Sequence, residues 1–218
     1  MLWQKGLLVK KLSTQIYQSE GKYVAYPLVV SGADTSQLNL WNSIILEDIN
    51  KIIGIYSLNS YPRSIEGPDV FLKDTLHINY YVKRNDDKYL SILYTADYYN
   101  PYSPYPTQSV YTSNIDLQKD RRMYLHDLIG MDTNLSTDLT SWELITKDMG
   151  GEEYRKALID YILGLGNEIL RKGLLTADII GHENFLGIFS YITPTRKGLS
   201  ISVPHYLGDH AEFERDIE

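Results

Sequence analysis

The sequence predicts an α+β fold in which an antiparallel sheet packs with two main helices in a single compact domain. Several stretches alternate strictly between apolar and polar residues, which is typical of strands with one buried face. Two other segments repeat apolar residues every three or four positions, the period of an amphipathic helix. The predicted strands come in runs before and after the helices, which favours α+β over a doubly wound parallel sheet.

The chain has 218 residues, a length that suits one domain. We expect a single domain over residues 1–218, with an N-terminal half of about 7–110 and a C-terminal half of about 111–218 packed together.

The N-terminal half is predicted to open with a hairpin and a helix. Leu7–Ile16 and Lys22–Val30 are rich in strand-forming residues and are separated by Gly21. Asp34 is a capping residue before a helical apolar stripe, and Gly54 is predicted to end that helix. The stripe consists of Leu38, Trp41, Ile44, Ile45, Ile49, Ile52 and Ile53.

Alternation then predicts an antiparallel pair of strands over Leu72–Lys83 and Leu90–Tyr98, with the polar run Arg84–Lys88 as the turn. Proline interrupts the segment Tyr98–Pro106, which is predicted to be a loop or an edge. Strand signals return at Ser109–Leu117.

The C-terminal half is predicted to hold the second main helix, from Tyr154 to Leu170, with Gly164 and Gly166 weakening it. Two strands follow at Phe185–Thr193 and Leu199–Val203. We expect the apolar members of the last strand to face inward, and Ser200 and Ser202 to face outward.

Composition excludes several classes of function. A formal charge of −7 argues against nucleic acid as a partner, because phosphate binding needs clustered Lys and Arg. The chain contains no cysteine, which removes thiol nucleophiles, disulfides and zinc–thiolate sites. No stretch approaches the roughly 20 apolar residues of a membrane span.

Catalytic motifs are missing or badly spaced. His182-Glu183 begins like a zinc-protease motif, but Leu186 stands where the second histidine belongs. There is no Gly-x-Ser-x-Gly elbow and no Gly-rich phosphate loop. We therefore predict that the protein is not an enzyme, has no catalytic residues and needs no cofactor.

Tyrosine is the unusual residue of this composition, with 19 copies against 4 phenylalanines. Tyrosine combines a large apolar face with a polar tip and is enriched where proteins bind partners. The predicted partner-binding residues lie in and around the Tyr/Pro-rich segment and are Tyr98, Tyr99, Tyr102, Tyr105 and Tyr111.

A second polar cluster follows the last predicted strand. His205, Asp209 and His210, with Glu212 close by, could fold around a metal such as zinc or could serve as a hydrogen-bonded structural loop. The structural loop is the favoured interpretation, and a metal-dependent hydrolase is kept as an alternative.

The order of several short motifs resembles the RsiV-like family, which includes domains preceding peptidoglycan deacetylases. The motifs are Tyr89–Tyr94, Asn114–Leu117, Leu125–Ile129, Tyr191–Pro194 and Lys197–Phe213, and the resemblance runs from roughly Gln15 onward. It implies an α+β domain of bacterial envelope proteins, whose sensor members bind lysozyme and are not catalysts.

The resemblance implies a noncatalytic binding domain outside the cytoplasm, contacting a lysozyme-like protein or a cell-wall glycan. Between Tyr94 and Tyr111, however, this chain has its Tyr/Pro-rich segment where many relatives have a glycine-alanine-histidine segment, so lysozyme recognition is not carried over. The acidic balance leaves a second alternative, a cytoplasmic inhibitor or immunity-type protein directed at a basic target.

Overall fold

A computed structural model describes residues 9–56, 58, 60–62, 71–129, 139–146 and 151–217. The helices are α1 (Thr35–Ile55), α2 (Leu125–Leu128), α3 (Gly151–Gly164) and α4 (Asn167–Leu175). The strands are β1 (Lys11–Ser19), β2 (Lys22–Ser31), β3 (Ser60–Pro62), β4 (Phe71–Lys73), β5 (Thr75–Asn85), β6 (Tyr89–Tyr99), β7 (Thr107–Asp116), β8 (Arg121–Arg122), β9 (Glu143–Leu144), β10 (Phe189–Ile192), β11 (Arg196–Ser202) and β12 (His210–Asp216). The start of the first predicted strand, at Leu7 and Leu8, lies outside the described residues.

The predicted N-terminal hairpin and first helix are both present. β1 and β2 pair antiparallel, and Asp34 caps α1 by accepting a hydrogen bond from the Gln37 backbone N–H at 2.9 Å. The prediction that Gly54 ends the helix is wrong by one residue, since the helix continues to Ile55. Glycine costs little at an exposed last turn, where tertiary packing of the apolar stripe holds the helix.

The main sheet has six strands in the order β1-β2-β5-β6-β7-β8. The predicted antiparallel pair is confirmed as β5 and β6, which pair from Thr75 opposite Tyr99 to Asn85 opposite Leu90. The predicted first strand of that pair is divided at Asp74 into β4 and β5. β2 and β5 run parallel, so the sheet is mixed within the predicted α+β class.

A second sheet, in the order β10-β11-β12-β9, is built by the C-terminal half. The predicted second helix is two helices, because the chain between α3 and α4 passes through Gly166 at a φ of 83°. Glycine adopts this left-handed conformation without steric cost, so the helix restarts in a new direction. The described part of the chain therefore has three main helices instead of two.

The layers explain which residues are buried. α1 packs on one face of the main sheet, against residues such as Ile92 and Tyr94, and the second sheet packs on the opposite face near Leu93. α3 and α4 cover the outer face of the second sheet through Leu158, Ile162 and Leu170. The second sheet is thus covered on both faces, and the prediction that Ser200 faces outward is wrong, since its exposure is 1%.

Polar residues join the two sheets, and we call Ser91, Asn114, Asp178 and Ser190 the inter-sheet seam. Asn114 accepts a hydrogen bond from the Ser91 hydroxyl at 2.7 Å and donates one to the Ser190 carbonyl oxygen at 2.7 Å. The Asp178 carboxylate accepts from the backbone N–H and the hydroxyl of Ser190. Complete burial raises the pKa of Asp178 to about 6, although these hydrogen bonds act in the opposite direction.

Asp178 makes stability depend on pH with a defined sign. Its folded-state pKa is raised above the ordinary value, so its contribution is full at acid pH and is lost as the pH rises through about 6. Relative to an Asp178→Asn variant, we expect the wild-type unfolding free energy to fall by on the order of 3 kcal/mol between pH of about 4 and about 7. Urea denaturation of both proteins across this pH range measures the two unfolding free energies. A difference between them that does not change with pH would contradict the prediction.

Candidate functional site

The Tyr/Pro-rich loop occupies residues 100–106 between β6 and β7, since β6 continues to Tyr99. Exposed fractions are 42% for Tyr99, 64% for Tyr102 and 58% for Tyr105. Asn100 orders the loop, because its side chain accepts from the Tyr102 backbone N–H and its carbonyl oxygen accepts from the Ser103 backbone N–H. The loop thus presents aromatic rings to solvent on a locally hydrogen-bonded backbone.

Of the two remaining predicted tyrosines, Tyr111 is buried in the core of the main sheet, and the half-buried Tyr98 packs against that core. The Tyr98 hydroxyl donates to Asp74 at 2.9 Å, and its ring lies 5.4 Å from that of Tyr56. Tyr111 is 7% exposed, shares a 2.9 Å hydrogen bond with the Tyr56 hydroxyl and packs edge-on against Phe189. Of the five predicted tyrosines, those exposed at the surface are therefore Tyr99, Tyr102 and Tyr105.

The structure brings together the two candidate sites that the sequence suggests separately. The Tyr105 ring stacks on the His205 ring with 4.8 Å between centroids. His205 Nδ1 lies 3.1 Å from one Asp209 carboxylate oxygen, and the other accepts the Gln108 backbone N–H at 3.2 Å. Asp209 therefore connects the histidine loop to the base of the tyrosine loop, 101 positions away in the sequence.

His210 is largely buried between the two sheets, where Glu212, Asp97 and Lys83 are among its charged neighbours. Its side chain is 13% exposed, and its Nε2 atom lies 3.8 Å from a Glu212 oxygen. Burial lowers the pKa of His210, while the neighbouring Glu212 and Asp209 carboxylates act in the opposite direction. Glu212 itself accepts from Lys83 at 3.1 Å and from the Tyr191 hydroxyl at 2.9 Å.

The contacts of the histidine loop are hydrogen bonds, ion pairs and ring stacking with other protein groups. Across the ranges that the structure describes, no three His, Cys, Asp or Glu side chains are grouped so that they could hold one metal ion. His205, Asp209 and His210 lie near each other in sequence, but His205 pairs with Asp209 while His210 turns toward Glu212.

A row of polar and aromatic residues runs across the uncovered part of the main sheet to the base of the tyrosine loop. The strand registers set the members of this cross-strand row side by side, and they are Gln18, Tyr23, His77, Asp97 and Gln108. The Tyr23 and His77 rings lie 5.8 Å apart, and the Gln108 amide donates to Asp97 at 2.6 Å. Five strands at about 4.8 Å spacing give the row a length of roughly 19 Å.

The row escapes sequence analysis because its members lie on five different strands. The only sequence signal for it is the alternation that sets His77 and Asp97 opposite the apolar residues of β5 and β6. Chemically, the row combines flat rings with amide and carboxylate groups that can donate and accept hydrogen bonds. Together with the tyrosine loop it forms one continuous polar-aromatic surface.

No protein-family model matches this chain. No curated protein matches it either. The fold is similar to that of a solved DUF3298 family member from Bacteroides fragilis NCTC 9343, with 13% identity over 97% of this chain and 92% of that chain and a TM-score of 0.57. A second DUF3298 protein, from Pseudomonas aeruginosa PAO1, aligns over 97% of this chain and 91% of that chain with 12% identity and a TM-score of 0.46.

The first of these likenesses shows that the chain shares its fold with a member of an uncharacterised domain family. It does not establish the RsiV-like family, which remains a proposal from the sequence motifs. The predicted α+β class is confirmed by the structure itself.

The junction at Asp209 generates a prediction about the order of the tyrosine loop. Asp209 has a φ of 67°, so an Asp209→Gly variant removes the carboxylate without straining the backbone. We expect the backbone amide hydrogen of Gln108 to exchange with solvent about tenfold faster in this variant, because its charge-assisted hydrogen bond to Asp209 is lost. Hydrogen exchange followed by NMR measures it.

Asp209→Asn is the matched control, since asparagine also tolerates this backbone conformation and keeps one acceptor oxygen. In this control, the backbone amide hydrogen of Gln108 should exchange at a rate between those of the wild type and of Asp209→Gly. An unchanged rate in Asp209→Gly would mean that Asp209 does not anchor the tyrosine loop.

Proposed function

We propose that this protein is a noncatalytic binding domain that contacts a cell-wall glycan through the tyrosine loop and the cross-strand row. The observation that carries the proposal is the set of three exposed tyrosines, Tyr99, Tyr102 and Tyr105, beside a polar row on an open sheet face. Binding by these groups needs no catalytic residue and no cofactor.

The loop suits recognition of a ring-shaped, hydroxyl-rich ligand. A tyrosine loses only two side-chain torsions on binding, and its flat face can pack on the apolar side of a sugar ring. Pro101, Pro104 and Pro106 restrict the backbone, so less conformational entropy remains to be lost. The amide and carboxylate groups of Gln108 and Asp97 would accept and donate hydrogen bonds to sugar hydroxyls.

A basic protein such as lysozyme is the second candidate partner. The formal charge of −7 favours it, together with Asp97 and Asp209 beside the exposed tyrosines, because complementary charge steers association. A cytoplasmic inhibitor would use the same surface and charge.

We propose a location outside the cytoplasm, where a cell-wall glycan is accessible, and this rests on the family resemblance. Within the described residues, no helix has the length and apolar character needed to cross a membrane.

Removing the exposed rings tests the proposal. We expect the triple variant Tyr99→Ala, Tyr102→Ala, Tyr105→Ala to bind soluble peptidoglycan fragments at least tenfold more weakly, because truncated hot-spot aromatics commonly cost about 2 kcal/mol or more. Isothermal titration calorimetry measures the dissociation constants.

Tyr17→Ala is the matched control, since Tyr17 is 47% exposed but lies, with its partner Val24, on the face of the sheet opposite to the cross-strand row. It should bind as the wild type does. A parallel titration with lysozyme separates the two candidate partners. Wild-type binding to lysozyme but not to peptidoglycan fragments would replace the glycan proposal. If the triple variant bound both ligands as tightly as the wild type does, this surface would be the binding site for neither.

A further inference from the structure

A groove lies at the end of β5 and β6 that is opposite to the tyrosine loop. Its volume is about 590 Å³, and it runs between the β5–β6 turn, α2 and the β10–β11 turn. Three of its lining residues are basic, namely Arg84, Lys88 and Lys197, while its apolar wall includes Met123, Leu128 and Ile192. This combination is distinct from the polar-aromatic surface of the proposed glycan site.

Arg84 is held in one orientation at the groove. Its Nε donates to Asp86 at 2.6 Å, its Nη1 donates to the Thr193 carbonyl oxygen at 3.3 Å, and its guanidinium lies 4.8 Å from the centroid of the Tyr89 ring. A guanidinium has five N–H donors, so these contacts fix the group without using all of them. An arginine fixed in this way has little side-chain entropy left to lose on binding an anion.

The acidic residue that lines the groove, Asp127, and the acidic residue beside Arg84, Asp86, both have cationic partners. Asp127, the acidic residue lining the groove, receives two hydrogen bonds from Arg121, at 2.7 and 3.2 Å, and one from the Tyr124 backbone N–H. Asp86 accepts from Arg84 and from the Lys88 and Tyr89 backbone N–H groups. Because Arg84 neutralises Asp86 and Arg121 neutralises Asp127, the remaining positive charge of the groove is that of Lys88 and Lys197, on a chain whose formal net charge is −7.

Lys197 and Lys88 complete the basic side of the groove. The Lys197 ammonium group donates to the Leu128 carbonyl oxygen at 3.2 Å, which sets its charge beside the apolar wall. An ammonium group has three donors, so one such contact does not exhaust it. Lys88 is exposed in the β5–β6 turn and can reach a ligand at the mouth of the groove.

We propose that this groove binds the C-terminal carboxylate of a peptide whose last side chain is apolar. The Lys88 and Lys197 ammonium groups are complementary to a carboxylate, and the guanidinium of Arg84, whose charge is paired with Asp86, still has N–H donors to offer it. The apolar wall would bury the last side chain, and a bare inorganic anion would leave that wall unused. The site is independent of the glycan surface, because the two lie at opposite ends of β6.

The probes are N-acetyl-leucine and N-acetyl-leucine amide, which share an apolar side chain and differ in the carboxylate. We expect N-acetyl-leucine to shift the backbone NMR signals of Lys88, Thr195 and Lys197, with an affinity at least tenfold above that of the amide. Acetate and inorganic phosphate should bind more weakly than N-acetyl-leucine, since neither fills the apolar wall.

Lys88→Gln should weaken N-acetyl-leucine binding several-fold, and Lys88→Gln with Lys197→Gln should weaken it at least tenfold. Lys156→Gln, on the exposed surface of α3, is the control with the same charge change and should bind as the wild type does. Three outcomes would overturn the proposal. They are equal binding of N-acetyl-leucine and N-acetyl-leucine amide, unchanged binding of N-acetyl-leucine by Lys88→Gln, and tighter binding of phosphate than of N-acetyl-leucine. None of these outcomes bears on the peptidoglycan titration.

Discussion

The packing of the two sheets through buried hydrogen bonds is the constraint on which the rest of the structure depends. In the inter-sheet seam, Asn114 is bonded to Ser91 on one side and to Ser190 on the other, and Asp178 receives both donors of Ser190. Removing one member would leave its partner buried and unsatisfied, at a cost of about 1–3 kcal/mol. Apolar packing alone would tolerate small shifts of one sheet over the other, whereas these directional bonds do not.

The seam sets the position of the candidate binding surface. Because β10 is bonded to the main sheet, β11 and β12 follow it, and the turn before β12 brings Asp209 to the Gln108 backbone N–H. His205 then lies under the Tyr105 ring. The tyrosine loop is thus supported by residues from the far end of the chain, and its order depends on the docking of the second sheet.

The second sheet is smaller than the sheet on which it packs, and this difference leaves the open face. It lies chiefly against β5, β6 and β7, so the side chains of Tyr23 and His77 remain accessible on the same face. The edge of the covered region runs beside Asp97, where polar groups of both sheets meet. A surface at such an edge combines a rigid support with access to solvent, which suits a binding site.

Local periodicity predicted most elements of the N-terminal half. The alternation of β5 and β6, the apolar stripe of α1 and the cap at Asp34 are short-range patterns, and each corresponds to an element of the structure. The second helix was predicted as one because its period continues through Gly164–Gly166, and the left-handed backbone of Gly166 is not visible in that period. A period of two shows which residues share a face, but it does not show whether another layer covers that face, and Ser200 was misplaced for this reason.

The sequence by itself determined the α+β class, the antiparallel central pair and the tyrosine-rich loop, because alternation, proline and aromatic composition act over a few neighbouring residues. Only the tertiary structure decided that Tyr111 is buried in the core with Tyr98 packed against it, that His205 supports Tyr105, and that five strands contribute one polar row. These outcomes depend on strand order, register and sheet docking, which are set by contacts between residues as far as 129 positions apart. Such contacts are selected by the free energy of the whole fold, and no local pattern encodes them.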